Sequence, residues 1–176
     1  DLVRDPVAAK RLLGYLPEQP PLYRELRVDE YLCFCARLRR VPRQRIQEAV
    51  TVAKRRCGLE EQGRRPIARL SKGFRQRLGI AQAIVHRPRL LILDEPTEGL
   101  DPVQIREVRG LVRELARDCG VIFSSHILPE VQAVCDRVAI LHQGQMVHSD
   151  ALAADPAALA WRLSLAPPAD AAALAA

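Results

Sequence analysis

The chain has 176 residues, of which 48% are hydrophobic and 27% charged, a composition typical of a globular domain with its own core and not of a disordered chain. No run approaches the roughly 20 uninterrupted apolar residues of a membrane-spanning helix. The net charge is +6, but the arginines are spread along the chain without interleaved aromatic residues, so we expect no nucleic acid as a partner and favour a membrane-bound partner near anionic lipid.

The five cysteines form no CxxC pair. Two of them, Cys33 and Cys35, fall within an apolar helical pattern. We therefore expect buried free thiols, which fit a reducing cytosol.

The first predicted elements are a short helix, a strand and a proline-rich loop. Asp5 followed by Pro6 is typical of an N-cap with proline at the first helical position, and the helix should run to Lys10. A strand is predicted over 12–16, and the loop that follows reads PEQPP. Considered alone, this loop would be interpreted as an ordinary surface loop.

Two amphipathic helices are predicted next, without a strand between them. Asp29 is the expected N-cap of the first, in which apolar residues recur at helical spacing. The second covers about 46–57, and Gly58 should end it in the left-handed conformation. This run of helices indicates a small helical lobe inserted into a sheet domain.

A third helix is predicted to begin in the stretch LSKGF at 70–74. Ser71 is a favourable N-cap, and the free N–H groups of a helix N-terminus suit a phosphate. Gly73 would let the backbone approach a ligand closely. The sequence His86-Arg87-Pro88 should end this helix.

The central stretch is LLILDEPTEGLD at 90–101. Its apolar run predicts a strand buried on both faces, as in a parallel sheet covered by helices. Asp94 and Glu95 would then lie at the carboxyl end of the strand, where open parallel sheets bind ligands. Magnesium prefers oxygen ligands, so this pair suits a phosphate–magnesium site, whereas a strand end with solvated acids is the plain alternative.

Three more helices, one strand and a hairpin are predicted in the rest of the chain. Asp101 should cap a helix with Pro102 at its first position, which Gly120 would stop. A strand at 121–123 leads into Ser124-Ser125-His126; a lone histidine in that place is more often structural. The remaining predictions are a helix near 127–135, strands at 137–141 and 145–148 joined by a Gln143-Gly144 turn, a helix at 155–163, and a low-complexity tail from 167.

Four motifs therefore occur in order: LSKGFRQR, the strand ending in Asp-Glu, the EGLD segment, and SSH. This set resembles the ATP-binding subunit, or nucleotide-binding domain, of ABC transporters, whose signature motif, magnesium-binding strand, D-loop and switch histidine correspond to them. The resemblance covers roughly 1–150. It implies an α/β fold, an incomplete P-loop NTPase of the ABC ATPase type with a helical subdomain inserted at about 20–88. Beyond the resemblance, composition predicts an alanine-rich C-terminal helix and tail at 151–176.

The resemblance implies a catalytic and metal-binding group. Glu95 would polarise the attacking water, and His126, as a neutral imidazole, would hold the γ-phosphate of ATP. Asp94 would hold Mg²⁺. The family has a glutamine near this ion at the end of the earlier strand; here Glu18 stands at that place and Gln19 follows it, and either can offer an oxygen, with Glu18 preferred.

The resemblance also implies a second group that binds ATP from the opposite subunit of a dimer. Ser71, Lys72 and Gly73 correspond to the family's LSGGQ motif, with Lys72 in place of its first glycine and Phe74 in place of its glutamine. Asp101 would link the two ATP sites.

For the complete protein, the resemblance implies ATP hydrolysis coupled to transport, with ATP and Mg²⁺ as cofactors. The expected partners are membrane-spanning transporter subunits and a second ATP-binding subunit, at the cytoplasmic face of the membrane. Tyr23, Leu26 and Val28 are candidate contacts with the membrane partner, although they could equally belong to the lobe's own core. The sequences LSKGFRQR and SSHILPEV resemble those of exporter-like subunits.

The phosphate-binding loop GxxxxGK[ST] is not in these residues, and we expect the given sequence to begin within a subunit. Two alternatives follow. One is a truncated, non-catalytic subunit that only docks on a partner. The other is a soluble ABC ATPase that acts on nucleic acid or ribosomes, for which tandem halves or a long coiled insertion would be expected.

Overall fold

The structure is a computed structural model that describes residues 3–152. The described residues divide into two compact units, one ending at residue 135 and the other beginning at residue 136. The first unit contains the motifs singled out in the sequence, and the second contains the predicted hairpin. The predicted helix at 155–163 and the tail lie outside the described residues.

The elements follow the predicted order closely. The helices are α1 (Pro6–Arg11), α2 (Val28–Leu38), α3 (Ile46–Arg56), α4 (Lys72–Ile84), α5 (Pro102–Leu115) and α6 (Leu128–Val134). The strands are β1 (Leu13–Leu16), β2 (Leu90–Asp94), β3 (Gly120–Ser124), β4 (Arg137–His142) and β5 (Gln145–Ala151). None of the helices in the described residues is long and apolar enough to cross a bilayer.

The first unit is built on a parallel sheet of order β1-β2-β3. Leu13 is opposite Leu90, and Leu90 is opposite Gly120. Because all three strands run in the same direction, their carboxyl ends meet at one edge. This confirms the α/β architecture with a parallel sheet.

One face of the sheet packs against α4. Leu16, Leu91 and Leu93 are fully buried there, and each such leucine contributes roughly 1.5–3 kcal/mol relative to an exposed one. The approach is close at Gly14, where an added Cβ would lie 2.3 Å from the carbonyl oxygen of Ala83. Any side chain at position 14 would therefore push α4 away from the sheet.

The opposite face is less covered than predicted. Ile92 is only half-buried, and its neighbours across the strands, Tyr15 and Ile122, are 45% and 53% exposed. Within the described residues, β2 is therefore buried on the face that packs against α4. The predicted burial of its other face is not observed. An apolar run of four residues cannot by itself distinguish these two situations.

The helices α2, α3 and α4 lie between β1 and β2 and pack on one another around a shared core, as the predicted helical lobe requires. Gly58 ends α3 with φ +62°, as expected. Val28 is fully buried, so this candidate partner contact belongs to the core, whereas Tyr23 is 48% exposed. The division of the chain into an ATP-binding domain at 1–150 and a tail at 151–176 stays a prediction.

Two predicted helix boundaries are wrong. Asp29 does not cap α2, because its N–H donates to the carbonyl of Gly63 and its carboxylate pairs with Lys54 at 2.6 Å. The capping interaction instead joins the Arg27 N–H to Glu30 at 2.8 Å. Gly120 does not stop α5, which ends at Leu115, but is the first residue of β3.

The second unit is an antiparallel hairpin of β4 and β5, and the predicted turn is confirmed. Gln143 and Gly144 both have positive φ, 49° and 77°, as a tight hairpin turn requires. His142 and His148 lie on these strands, as predicted.

Candidate catalytic edge of the parallel sheet

The predicted catalytic residues meet at the carboxyl edge of the sheet. Glu18 and Gln19 follow β1, Asp94 ends β2 with Glu95 directly after it, and Ser124 ends β3 shortly before His126. Parallel pairing brings these three segments, which are distant in sequence, to the same place.

Ser124 joins the two acids. Its hydroxyl donates to Asp94 Oδ1 at 2.7 Å and accepts the N–H of Glu95 at 3.0 Å. The contact arises because Asp94 and Ser124 are register partners in β2 and β3. Ser124 was not predicted as a site residue, although aligning the two predicted strands end to end pairs it with Asp94.

Glu95 and His126 form the second contact at this edge. Nδ1 of His126 lies 3.0 Å from Oε1 of Glu95. Glu95 has φ +44°, in the left-handed region, and its side chain is 20% exposed against 69% for His126. A non-glycine residue in this conformation is uncommon and costs backbone strain. The turn directs the glutamate towards the histidine after the strand has ended.

The contact with Glu95 favours the protonated form of His126. The hydrogen bond to Glu95, together with the charge of that carboxylate, raises the pKa of His126. Since Nδ1 faces a carboxylate oxygen, Nδ1 must carry the proton, and a neutral ring would leave Nε2 as an acceptor only. A cationic ring, unlike the expected neutral one, can hold Glu95 and donate to a phosphate at once.

Further carboxylates surround this edge. The charge of Glu98 and a hydrogen bond with it, followed by smaller contributions from desolvation, Asp94 and Glu95, raise the pKa of Glu18. Clustered like charges of this kind are relieved by a cation, and all the donors are oxygens, which fits Mg²⁺. Among the described residues no group of three side chains already has metal-binding spacing. Glu98 is a member of this cluster that the sequence analysis missed.

The second predicted group lies at the start of α4. Ser71 caps the helix by accepting the N–H of Phe74 at 3.3 Å, as predicted. Ser71 and Gly73 line a cleft of about 570 Å³ whose other wall includes Asp101 and Gln104. An added Cβ on Gly73 would lie within 2.6–2.9 Å of the Gln104 amide group, so the glycine keeps the two helices close.

Asp101 and Lys72 complete this group. Asp101 caps α5 by accepting the N–H groups of Val103 and Gln104, both at 2.9 Å, as predicted. Nζ of Lys72 occupies the space next to Gly99, where an added Cβ would lie 2.0 Å from it. The lysine that replaces the family's glycine therefore contacts the segment before α5.

A buried polar network supports the catalytic edge from behind. Glu130 is 1% exposed, and its carboxylate accepts hydrogen bonds from the hydroxyl of Thr97 and from that of Ser125 at 3.4 Å. It also forms an ion pair with Nη2 of Arg109 at 3.4 Å. Thr97 follows Glu95 by two residues, and Ser125 precedes His126. The network thus ties together the two turns that carry the candidate catalytic residues Glu95 and His126, and it was not predicted from the sequence.

Comparison with known proteins agrees with this geometry. Residues 4–98 match the family model described as ABC transporter. The chain belongs to the ABC transporter ATP-binding family. The family's P-loop NTPase fold is therefore the fold of which this chain forms part.

Individual relatives cover most of the chain. It is 40% identical over 137 residues to the ABC transporter ATP-binding protein YxlF of Bacillus subtilis, covering 78% of this chain and 46% of that protein. It is 39% identical over 140 residues to the bacitracin transport ATP-binding protein BcrA of Bacillus licheniformis, covering 78% and 44%. A solved ATP-binding subunit of an ABC transporter superposes with a TM-score of 0.73 at 32% identity, covering 86% of this chain and 63% of that one. The chain spans about half the length of these curated relatives.

Proposed function

We propose that the complete protein is the ATP-binding and ATP-hydrolysing subunit of an exporter-like ABC transporter and couples hydrolysis to transport. The observation that carries this proposal is the contact between Glu95 and His126, 3.0 Å long, at the sheet edge where Asp94 also ends its strand. Membership of the ABC family and the similarity to a bacitracin transport protein support the same function.

In this proposal Glu95 orients the attacking water and accepts its proton as the water oxygen bonds to the γ-phosphorus and the bond from that phosphorus to ADP, the leaving group, breaks. His126 holds the glutamate through Nδ1 and donates from Nε2 to the γ-phosphate. Phosphoryl transfer needs mainly positioning and stabilisation of charge. A cationic histidine between a carboxylate and a phosphate supplies both.

Asp94, Glu18 and Gln19 are the proposed magnesium residues. Asp94 would hold the ion while Ser124 fixes the orientation of its carboxylate, at 2.7 Å. Glu18 would approach from the end of β1, where removal of its repulsion with Glu98 favours the bound state. When bound, Mg²⁺ neutralises charge on the phosphates.

The second group would bind ATP that is held by the other ATP-binding subunit of a dimer; its members are Ser71, Lys72, Gly73 and Asp101. That ATP would enter the cleft between α4 and α5. The free N–H groups at the start of α4 suit its γ-phosphate. Lys72 adds a positive charge where the family has glycine. Closure of the dimer would complete each site and transmit motion to membrane-spanning subunits at the cytoplasmic face of the membrane.

The test is the Glu95→Gln variant of the full-length subunit. We expect turnover of ATP to fall by about two orders of magnitude or more, on the scale of lost base catalysis, with the Kd for ATP unchanged. The matched control is Glu114→Gln, which removes one exposed carboxylate from α5, away from the sheet edge. Normal turnover in Glu95→Gln would remove the glutamate from this role, and a wild-type subunit that binds no ATP would favour the docking-only alternative.

A further inference from the structure

A pocket lined mainly by arginines lies where three helices end. The ends of α1, α2 and α4 form most of its wall, and the segment that leads into α3 completes it. Its volume is about 190 Å³, room for a phosphate group with several waters, since one water occupies about 30 Å³. The charged side chains of its lining are five arginines and one glutamate: Arg11, Arg39, Arg40, Arg45, Arg87 and Glu48.

Most of this positive charge has no carboxylate partner among the residues that the structure describes. Glu48 lies 3.1 Å from Arg87 and 3.9 Å from Arg45. Within residues 3–152, no carboxylate lies within 4 Å of the guanidinium groups of Arg11, Arg39 or Arg40. Arginine near a helix C-terminus interacts favourably with the last carbonyls, but three helix ends do not account for five arginines.

The backbone at two of these arginines supports a purpose for the side chain. Arg40 and Arg87 follow α2 and α4 with φ of 58° and 55°, a left-handed conformation that disfavours every residue with a Cβ and favours glycine. The chain uses glycine for the same task after α3, where Gly58 has φ +62°. An arginine after α2 and another after α4 cost backbone strain, which the binding of an anion would offset.

His86 lies in the pocket wall, where its ring can report on a bound ligand. Its Nε2 lies 3.0 Å from the carbonyl oxygen of Leu13, while Nδ1 is buried and has no hydrogen-bond partner among the described residues. Burial, and after it the charge of Arg39, lowers the pKa of His86 to about 4. The ring is therefore neutral at pH 7, with its proton on Nε2, and Nδ1 is an acceptor that lacks a donor.

We propose that this pocket binds the phosphate group of an anionic ligand, with Arg40 and Arg87 as its principal contacts. Planar guanidinium groups suit phosphate oxygens through paired, charge-assisted hydrogen bonds. A soluble phosphate compound and a phospholipid headgroup offer the same chemistry. The site is separate from the ATP-binding residues, and the proposal does not depend on the ATPase function.

The first test follows the side-chain ¹H–¹⁵N resonances of His86 in the full-length subunit, assigned with His86→Gln, while inorganic phosphate is added. A parallel co-sedimentation assay uses phosphatidylcholine vesicles with and without phosphatidylglycerol. Phosphate bound elsewhere in the subunit would not shift His86, so this readout is specific to the pocket.

The test variant, called the glycine variant, combines Arg40→Gly with Arg87→Gly. The matched control combines Arg24→Gln with Arg64→Gln, which removes two exposed arginines outside the pocket. The glycine variant should fold at least as stably, because it relieves two left-handed arginines. We expect binding to weaken about tenfold or more for each arginine removed, the scale of one charge-assisted hydrogen bond, and to be unchanged in the control.

Each outcome decides the proposal. A His86 shift with inorganic phosphate that the glycine variant loses supports a soluble ligand. Binding only to vesicles that contain phosphatidylglycerol, lost in the glycine variant, supports a lipid headgroup. The proposal is overturned if phosphate does not shift the His86 resonances and the protein does not bind the vesicles. It is also overturned if the wild type and the glycine variant bind equally well.

Discussion

The buried network around Glu130 makes a sharp prediction about stability. In Glu130→Ala, Arg109 loses its carboxylate partner, and Thr97 and Ser125 lose an acceptor. Removing one partner of a buried ion pair typically costs about 3–5 kcal/mol. The Glu130 side chain is 2% exposed but that of Arg109 is 25% exposed, so water can recover part of the loss and we expect about 2–4 kcal/mol.

The measurement is urea unfolding of the full-length subunit, read as a change in the free energy of unfolding at constant m-value. Glu114→Ala is the matched control, because Glu114 is 53% exposed and pairs with Arg56 at 3.2 Å; such surface pairs contribute about 0–1 kcal/mol. Arg109→Met in the Glu130→Ala background removes the orphaned cation and should restore part of the stability. If Glu130→Ala destabilises the protein no more than Glu114→Ala, the network does not hold the two turns together.

Further predictions concern the catalytic pair and two glycines. Glu95 raises the pKa of His126. The stabilisation from this contact should therefore be fully present below the ordinary histidine pKa of about 6.5 and be lost as the pH rises through the raised pKa. In Glu95→Gln, the pKa of His126 measured by NMR titration should move towards the ordinary value, and an unchanged pKa would contradict the contact. Gly99→Ala should destabilise the protein by about 1–2 kcal/mol, because φ is +62° and a left-handed conformation is unfavourable for a residue with a Cβ; the flexible end of Lys72 can move aside. Gly110→Ala, within α5 and with nothing within 4 Å, should instead stabilise it by about 0.5–1 kcal/mol, and equal effects of the two substitutions in thermal unfolding would refute the distinction.

The features that sequence could predict are those that depend on neighbours a few residues apart. Asp5, Ser71 and Asp101 each cap the helix they were expected to cap, since a cap needs only a short polar side chain and the N–H groups two or three residues later. The cap of α2 was mispredicted because Arg27 is not a typical capping residue. There the Glu30 side chain makes the interaction, while tertiary contacts engage Asp29.

The contacts within the candidate site could not be predicted in the same way, because their partners are about 30 residues apart. Motifs identified Glu95 and His126 separately, but the hydrogen bond between them, and the raised pKa of His126, follow only from the fold. The same holds for Glu130, which the sequence presents as one more acidic residue in a short helix. Glu130 belongs to the site because its carboxylate is buried between the two turns, and the sequence does not show that burial.

The core of the sheet therefore determines the chemistry at its edge. Leu91 and Leu93 face α4, and their burial fixes the register of β2. A shift of one residue would turn these leucines to the other face and would also move Asp94 away from Ser124. Because Glu95 leaves the strand directly afterwards in a strained turn, its distance from His126 depends on the same register. Substitutions in the leucine core that allow the strand to slip should thus disturb the catalytic pair without touching it.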